Sequence, residues 1–179
     1  MNMTHEITLY AGVDAFGDGT HPTTEGMLAA LAAIDPAGFA PRVICDMGCG
    51  AGLLAMRASQ LFDCTVIAVD IERSAVEATR ENALKNKLPV DAIHSDGFNH
   101  PEIRKRAPYD LILMNILAEP LLSLAHDAVS VLAGGGALIM SGMLVWQQDM
   151  IIEAYQPLGL ELAHRVQLGD WVTLVWQKP

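Results

Sequence analysis

Four residues at regular spacing carry the strongest chemical signal in the sequence. An apolar run ends at Asp46, and Gly48, Gly50 and Gly52 follow at intervals of two. Glycines after a buried strand let the chain turn into a helix and bring its backbone close to a ligand. In the dinucleotide-binding turn the last glycine comes three residues on, where pyrophosphate meets bare amides. An anionic Asp46 suits a cation better than pyrophosphate, so the motif favours S-adenosylmethionine over NAD.

Two further acids stand where later apolar runs end. Asp70 lies 24 residues beyond Asp46, so it ends the adjacent strand, where a carboxylate can accept bonds from both hydroxyls of an adenosine ribose. Asp96 follows the third run and is a candidate acceptor for the adenine amino group. Either acid could instead cap the helix that follows it. Each therefore has a ligand-binding and a structural interpretation.

Asn115, after the fourth run, is the candidate for the reacting end of the site. Its amide oxygen could orient an incoming amine with its lone pair in line with a sulfonium methyl, although a strand-ending turn is the alternative. His21 lies beside a glycine-rich loop and is either a base or a cap before Pro22, while Thr23 and Thr24 are candidate caps or ligand contacts. An alkylammonium has a pKa of about 10.4, so burial or a water route must supply the neutral amine.

Alternating strand and helix patterns must position these residues. Continuous apolar strands separated by amphipathic helices are typical of an α/β fold whose mostly parallel sheet is covered on both faces. Gly169 and Asp170 predict a hairpin between the last two strands, so the seven-stranded sheet should contain one antiparallel strand. The predicted strands are 42–46, 65–70, 90–94, 109–115, 137–141, 160–167 and 171–177, and the predicted helices are 22–34, 53–62, 73–86, 118–132 and 146–155.

Four irregular stretches complete this prediction. A short β-type piece at 7–10 and a glycine-rich loop at 17–19 precede the first helix. The polar stretch around 102–106 predicts a loop, and the glycines at 134–136 predict the end of a helix. Ligands of such sheets bind beyond the carboxyl ends of the strands, where the acids and Asn115 should meet.

Composition limits the class of protein. The 179 residues are 51% hydrophobic and 18% charged, which predicts a single folded domain over 1–179. No apolar run reaches the roughly 18 residues of a membrane span, and residues 1–6 lack a leader pattern, so we expect a cytoplasmic protein that does not enter the membrane. A net charge of −10 disfavours direct nucleic-acid binding and would suit a basic protein substrate.

The cysteines predict neither a disulfide nor a metal site. Cys45, Cys49 and Cys64 are odd in number and form no C-x-x-C pair. We expect all three to act as small apolar residues.

Several motifs together resemble one bacterial family. Phe16–Thr24, Asp46–Gly50, Val69–Ile71, Asn115–Leu121 and Ser141–Leu144 occur in the order seen in methyltransferases of ribosomal protein L11. The glycine motif is shared by most class I methyltransferases, whereas the first and fourth segments are more specific. From about residue 5 onward, the chain is similar to the catalytic half of that family.

The resemblance implies a class I, Rossmann-like methyltransferase sandwich, with residues 1–40 closing over the cofactor and 41–179 as its core. It implies transfer of methyl groups from S-adenosylmethionine, which becomes S-adenosylhomocysteine, to lysine or terminal amines of a ribosomal stalk protein. Asn115 matches both a cofactor-binding and an acceptor-site position. The full set of expected cofactor-binding residues is Thr24, Asp46, Gly48, Gly50, Gly52, Asp70, Ile71, Asp96 and Asn115.

Two departures from the family pattern leave the acceptor open. Asp18 stands where members commonly have Thr, and the family's N-terminal recruiting domain is not expected in this chain. The acceptor could therefore be another protein or a small amine, and a module that holds S-adenosylmethionine without turnover is a further alternative. An NAD-dependent oxidoreductase is disfavoured by the glycine spacing. The sequence sets no expectation for the oligomeric state.

Overall fold

The computed structural model describes residues 6–12, 19–34 and 38–179. Strands and helices alternate along most of this range, as the apolar periodicity predicts. In chain order the elements are α1 (Pro22–Ile34), β1 (Val43–Met47), α2 (Leu53–Leu61), β2 (Thr65–Asp70), α3 (Arg73–Asn86), β3 (Asp91–His94), α4 (Pro101–Arg106), β4 (Tyr109–Asn115), α5 (Ala118–Ser123), α6 (Ala125–Val131), β5 (Leu132–Leu144), α7 (Gln148–Tyr155), β6 (Glu161–Leu168) and β7 (Trp171–Gln177).

The strands form one sheet in the order β3-β2-β1-β4-β5-β7-β6. Strands β1 to β5 pair in parallel, and β7 runs antiparallel to both β5 and β6. Gly169, with φ 60°, adopts the left-handed conformation in the turn that joins β6 to β7. The prediction of seven strands with a single reversed strand is confirmed.

Helices cover both faces of the sheet. On one face Met27 and Leu31 of α1 pack with Leu54 of α2 and Val76 of α3. The opposite face carries residues of α4 to α7, and Tyr155 of α7 stacks on Trp176 of β7 with ring centroids 6.0 Å apart. Because both faces are buried, the central strands are mostly apolar, and their polar residues lie at or near the strand ends. No helix within the described ranges is long and apolar enough to span a membrane.

The N-terminal prediction of a strand at 7–10 is wrong. Residues 6–10 form no strand. The amides of Tyr10 and Ala11 donate instead to Oδ1 of Asn82, at 2.8 and 3.1 Å, and the amide of Thr8 donates to Oδ1 of Asn86 at 3.0 Å. Side chains of α3 thus satisfy the backbone groups that a neighbouring strand would otherwise have paired. We call residues 8–12 the N-terminal strap.

Three element predictions also differ from the structure. The predicted loop at 102–106 is helix α4, whose first turn is capped by Nδ1 of His100 accepting from the amide of Glu102. The predicted helix 118–132 is two helices, because Leu124, with ψ 0°, interrupts the regular backbone between α5 and α6. The glycines at 134–136 lie within β5, which begins at Leu132 and shifts register against β4 between Tyr109 and Leu111.

Candidate active site

Two adjoining hollows open at the carboxyl ends of the parallel strands. The first has a volume of about 350 Å³ and the second about 490 Å³. Gly48 and Asp70 line both. The first is also lined by Gly12, Thr24, Cys49, Gly50, Ala51, Leu53, Leu54, Glu72, Ser74, Ala75 and Asn115, and the second by Met47, Ile71, Ser95, Asp96, Gly97, Ile116, Glu119, Pro120, Ser123 and Leu124.

The three glycines of the turn serve different purposes. All are left-handed, with φ of 79° at Gly48, 54° at Gly50 and 83° at Gly52. A Cβ at Gly48 would collide with the side chain of Ile116, and one at Gly52 would lie 2.8 Å from Thr79. A Cβ at Gly50 would meet no atom within 4 Å. Close packing thus requires the outer glycines, whereas Gly50 leaves open space beside the first hollow.

Asp46 is buried and lines neither hollow. Its side chain is in a residue only 1% exposed, and Oδ2 accepts from the amide of Ala55 at 3.0 Å. The other oxygen, Oδ1, has no hydrogen-bond partner in the described part of the chain. Burial raises the pKa of this carboxyl to about 7, the Ala55 amide opposes that rise, and the negative charge of Asp70 adds to it. The turn therefore rests on a buried acid with one unsatisfied oxygen.

Asp70 joins the two hollows. Its Oδ2 accepts from the amide of Gly50 at 2.9 Å, and its Oδ1 accepts from the amide of Glu72 at 2.9 Å. Each carboxylate oxygen has a second lone pair, so both can still accept from a ligand hydroxyl. The structural interpretation and the ligand-binding interpretation of Asp70 are therefore compatible.

The second hollow contains the other predicted residues of the cofactor side. Ile71 directly follows β2 and is 62% exposed, which is unusual for an isoleucine beside a cavity. Asp96 is exposed, and its side chain makes no capping bond to the short 3-10 helix 97–99. The Asp96 carboxylate therefore does not cap this helix, and its ligand-binding interpretation stays a prediction.

Asn115 and Thr24 meet in the first hollow. Nδ2 of Asn115 donates to Oγ1 of Thr24 at 3.4 Å, which links the end of β4 to α1 across 91 residues of sequence. Asn115 also pairs with Ser141 of β5. The structure thus brings together Thr24, Gly48, Gly50, Asp70 and Asn115. Ile71 and Asp96 lie on the far side of Asp70, in the second hollow. Asp46 and Gly52 are buried behind the turn.

His21 has the geometry of a cap. Its Nδ1 accepts from the amide of Thr23 at 3.3 Å and lies 2.8 Å from the Thr23 hydroxyl. Its ring packs edge-on against Trp171, with centroids 4.9 Å apart. These contacts agree with the interpretation of His21 as a cap and packing residue at the start of α1.

Sequence reasoning missed two residues that hold the turn from α3. Oγ1 of Thr79 donates to the carbonyl of Gly50 at 2.9 Å. Nδ2 of Asn82 donates to the carbonyl of Ala51 at 2.9 Å and to that of Ala11 at 3.0 Å. Both side chains are fully buried. A buried Asn on the inward stripe of a helix was the available signal, since such a group requires partners elsewhere in the fold.

The cysteines are buried or half-buried free thiols. Burial raises the pKa of Cys45 and Cys49 well above the ordinary thiol value and that of Cys64 to about 11. Thiols that stay protonated agree with the predicted packing role. Within the described ranges, no three His, Cys, Asp or Glu residues are grouped to hold a metal ion. Phe16, Gly17 and Asp18 lie outside the described residues.

Sequence comparison places this site in a family. The family model described as "Ribosomal protein L11 methyltransferase (PrmA)" matches residues 2–179. The chain belongs to this family. A ribosomal protein L11 methyltransferase of Caulobacter sp. (strain K31) is 38% identical over 176 residues, which cover 98% of this chain and 60% of that protein. The relative from Chelativorans sp. (strain BNC1) is 38% identical over 162 residues, 89% of this chain and 56% of its own length.

The chain thus spans about 60% of the length of these curated relatives. Among solved structures, the ribosomal protein L11 methylase of Lactobacillus delbrueckii subsp. bulgaricus has a TM-score of 0.80 at 29% identity, covering 90% of this chain and 81% of its own. The N-methyltransferase NodS of Bradyrhizobium japonicum WM9, solved with S-adenosyl-L-homocysteine, has a TM-score of 0.69 at 16% identity, with 89% of each chain covered. The predicted class I methyltransferase fold and the predicted family are both confirmed.

Proposed function

We propose that this chain is an S-adenosylmethionine-dependent protein N-methyltransferase domain. The observation that carries the proposal is the position of Asp70 between the two hollows, with the open Gly50 and Asn115 on one side and Ile71 and Asp96 on the other. A ribose at Asp70 would direct an adenine into the second hollow and a methionine chain along the glycine turn. This order of groups corresponds to the order of groups in the cofactor.

The residues around the first hollow fit the charged end of that cofactor. Gly50 leaves a space that any Cβ would fill, and the unpartnered Oδ1 of Asp46 provides a buried negative charge behind the turn when the carboxyl is ionised. The amides of Gly48, Cys49, Gly50 and Gly52 already donate within the chain, so the turn contributes its shape and the nearby acid contributes charge. That charge suits an ammonium or a sulfonium group. Thr24 closes the hollow from α1. These features support the proposed cofactor contacts of Thr24, Gly48 and Gly50, whereas Asp46 and Gly52 would act from behind the turn, through charge and through packing on Thr79.

The residues around the second hollow fit adenosine. The free lone pairs of Asp70 would accept from the two ribose hydroxyls. Ile71 would pack on the adenine ring, and the uncommitted carboxylate of Asp96 would accept from its amino group. NAD also contains adenosine, so the choice between the two cofactors depends on the glycine turn and Asp46.

Asn115 is the proposed orienting residue for the acceptor. When bound, S-adenosylmethionine supplies a methyl group on a positively charged sulfur. Nδ2 of Asn115 makes a long hydrogen bond to Thr24, at 3.4 Å, which leaves the amide oxygen available to accept from an amine N–H. The described titratable carboxyls lining the hollows are Asp70, Glu72, Asp96 and Glu119, which are weak bases. We propose that water carries away the proton of the ammonium before transfer.

The acceptor proposal rests on the relatives. They are named for ribosomal protein L11, so we propose lysine or terminal amines of a ribosomal protein as acceptors, and action in the cytoplasm. We also propose that 1–179 behave as one domain in which residues 1–40 close over the cofactor. The contacts of Thr24 with Asn115 and of the strap with Asn82 support this arrangement.

Thermal shift tests the cofactor. A ligand at 100 times its dissociation constant stabilises a protein by about 2.7 kcal/mol, which corresponds to about 5–11 °C for a domain of this size. We expect this shift with S-adenosylmethionine and S-adenosylhomocysteine. A shift with NADH and none with these two ligands would contradict the proposal.

Methyl transfer tests the acceptor. Ribosomes and cell extract are incubated with the protein and cofactor carrying a labelled methyl group. We expect a labelled ribosomal protein band of the size of L11. Label found only in small molecules would refute a protein acceptor, and binding without any transfer would favour a cofactor-holding module.

A further inference from the structure

The charge of the chain is divided between two halves of the sheet. Residues 42–106, which form β1 to β3 and α2 to α4, contain nine acidic and nine basic residues. Residues 107–179, which form β4 to β7 and α5 to α7, contain seven acidic residues and only two basic ones, Arg165 and Lys178. The sheet order separates these parts in space, since β4, β5, β7 and β6 lie together on one side of β1. We call residues 42–106 the cofactor half and residues 107–179 the acceptor half. The cofactor half has no net charge and the acceptor half has a formal net charge of −5.

Three large apolar side chains are exposed in the acceptor half beside the end of β4. Trp146 is 72% exposed, Leu117 59% and Met150 43%. Trp146 and Met150 are four residues apart across the start of α7, and Leu117 directly precedes α5, which packs on α7. Gly142 of β5, four residues before Trp146, lies against the backbone of Ile116, which directly precedes Leu117, because a Cβ at Gly142 would collide there. We call Leu117, Trp146 and Met150 the apolar face.

This face borders the proposed acceptor end of the site. Leu117 follows Asn115 by two residues, and Asn115 pairs with Ser141 of the strand that leads to Trp146. Chain neighbourhood and strand pairing thus both connect the apolar face to the proposed acceptor end.

The charges of the same segments are negative. Glu119 lies on α5 and Asp149 and Glu153 on α7, and all three are exposed. No Lys or Arg occurs between Arg106 and Arg165. The Arg165 side chain donates to Gln148 at 2.7 Å and to Gln167 at 3.0 Å. The chemistry next to the apolar face thus combines an exposed indole, two aliphatic side chains and carboxylates.

We propose that the apolar face, with Glu119, Asp149 and Glu153, docks a lysine-rich segment of the protein acceptor. An ammonium group over the face of an exposed Trp is attracted by the ring, and the methylene stem of lysine packs on aliphatic surface. Surrounding carboxylates attract the same segment and repel acidic ones. The proposal rests on the proposed function, since it assigns a docking surface to the protein acceptor of that reaction.

Peptide binding tests the docking surface without requiring methyl transfer. The probe is a short fluorescein-labelled peptide of alternating lysine and glycine, and its counterpart carries glutamine at each lysine position. Fluorescence anisotropy is measured with the full chain saturated with S-adenosylhomocysteine. We expect the lysine peptide to bind, the glutamine peptide to bind at least about tenfold more weakly, and the affinity for the lysine peptide to fall with added salt.

The decisive variant is Trp146→Ala, with Leu84→Ala as its matched control. Leu84 is 79% exposed on α3, in the cofactor half. Trp146→Ala should weaken binding of the lysine peptide at least about fivefold, whereas Leu84→Ala should leave it within about twofold. Both variants should retain wild-type affinity for S-adenosylhomocysteine, which shows that they are folded.

Several outcomes would overturn the docking proposal. These are equal loss in both variants, or equal affinity for the two peptides. Self-association that Trp146→Ala abolishes would show instead that the face binds a second copy of the chain. If the peptide binds as expected but no protein is ever methylated, the docking surface stands and the proposed function fails.

Discussion

The cofactor half and the acceptor half satisfy their polar groups in different ways. In the cofactor half, the amide of Gly50 donates to Asp70, its carbonyl accepts from Thr79, and Asn82 joins the glycine turn to the N-terminal strap. In the acceptor half, Leu117, Trp146 and Met150 are exposed, and no Lys or Arg between residues 107 and 164 balances the carboxylates of the same segments. Ile71 and Leu84 of the cofactor half are exposed as well, so the halves differ in the held glycine turn and in the excess of negative charge rather than in apolar surface alone.

The largest expected effect comes from the acid behind the glycine turn. Burial raises the pKa of Asp46 to about 7, so between about pH 4 and pH 7 the folded chain keeps a proton that the unfolded chain has released. The free energy of unfolding should therefore fall as pH rises through this window, by an amount on the order of 4 kcal/mol. Burial is the main cause of the raised pKa of Asp46, the Ala55 amide opposes it, and the charge of Asp70 adds to it.

Asp46→Asn removes the charge and keeps an oxygen that can accept from Ala55. Urea unfolding of both proteins without ligand, from about pH 4 to about pH 8, should show the variant more stable at the upper end and equal or less stable at the lower end. Subtracting one curve of unfolding free energy against pH from the other removes the pH dependence that the two proteins share. Parallel curves would mean that Asp46 is ionised throughout in the folded chain.

Asn82→Ala should destabilise the cofactor half by about 2–4 kcal/mol, because it leaves backbone groups of Tyr10, Ala11 and Ala51 without partners. Asn86→Ala is the matched control on the same helix. The Asn86 side chain bonds the backbone of Thr8 in an exposed position, so its removal should lower the free energy of unfolding by less than about 1 kcal/mol. Chemical denaturation of the two variants measures the difference, and equal values would show that the strap and the turn are not held by Asn82.

Asp70→Ala should weaken binding of S-adenosylhomocysteine by about 1.5–3 kcal/mol, because charged hydrogen bonds to the ribose are lost. Isothermal calorimetry gives this value directly. Asp96→Ala, at the other end of the second hollow, should have a smaller effect, because an exposed carboxylate makes one bond to an amino group in competition with water. An unchanged affinity in Asp70→Ala would place the ribose elsewhere.

The smallest expected effect concerns the acceptor half. Asp149→Lys should raise the KM for a basic protein acceptor about two- to fivefold with little change in kcat, because a rim charge contributes about 1 kcal/mol or less. Glu77→Lys makes the same charge change on α3 in the cofactor half and should leave the KM unaltered. If both variants raised the KM equally, negative charge in the acceptor half would have no special effect on acceptor binding.

The sheet and its site edge could be predicted because burial on both faces imposes continuous apolar strands, and because each strand ends at a polar residue. The positions of Asp70 and Asn115 follow from that logic alone. The N-terminal strap could not be predicted, since Ile7 to Tyr10 has β-type residues but its amides bind Asn82, 72 residues away from Tyr10. Helix α4 was missed because only Ile103 in it is buried, which leaves no apolar stripe.

The roles within the candidate site were also only partly predictable. The spacing of the glycines marks a close-packed turn, but it does not distinguish Gly50, which borders open space, from Gly48 and Gly52, which are required by Ile116 and Thr79. Asp46 was expected to face the ligand, and the structure instead buries it beneath the turn. Whether a residue of the turn borders the ligand or is buried depends on which side of the turn α2 and α3 cover. Long-range packing determines that side.

The backbone N–H and the backbone carbonyl of Gly50 both have partners, Asp70 and Thr79, before any ligand arrives. A turn fixed in this way presents the same shape to S-adenosylmethionine and to S-adenosylhomocysteine, and cannot separate them by adjusting that shape. Within the site, S-adenosylmethionine and S-adenosylhomocysteine would then be distinguished mainly by the positive charge on sulfur, which only S-adenosylmethionine carries. We expect product release to depend on the loss of attraction between that charge and the surrounding acids, and product inhibition to grow wherever those acids are neutralised.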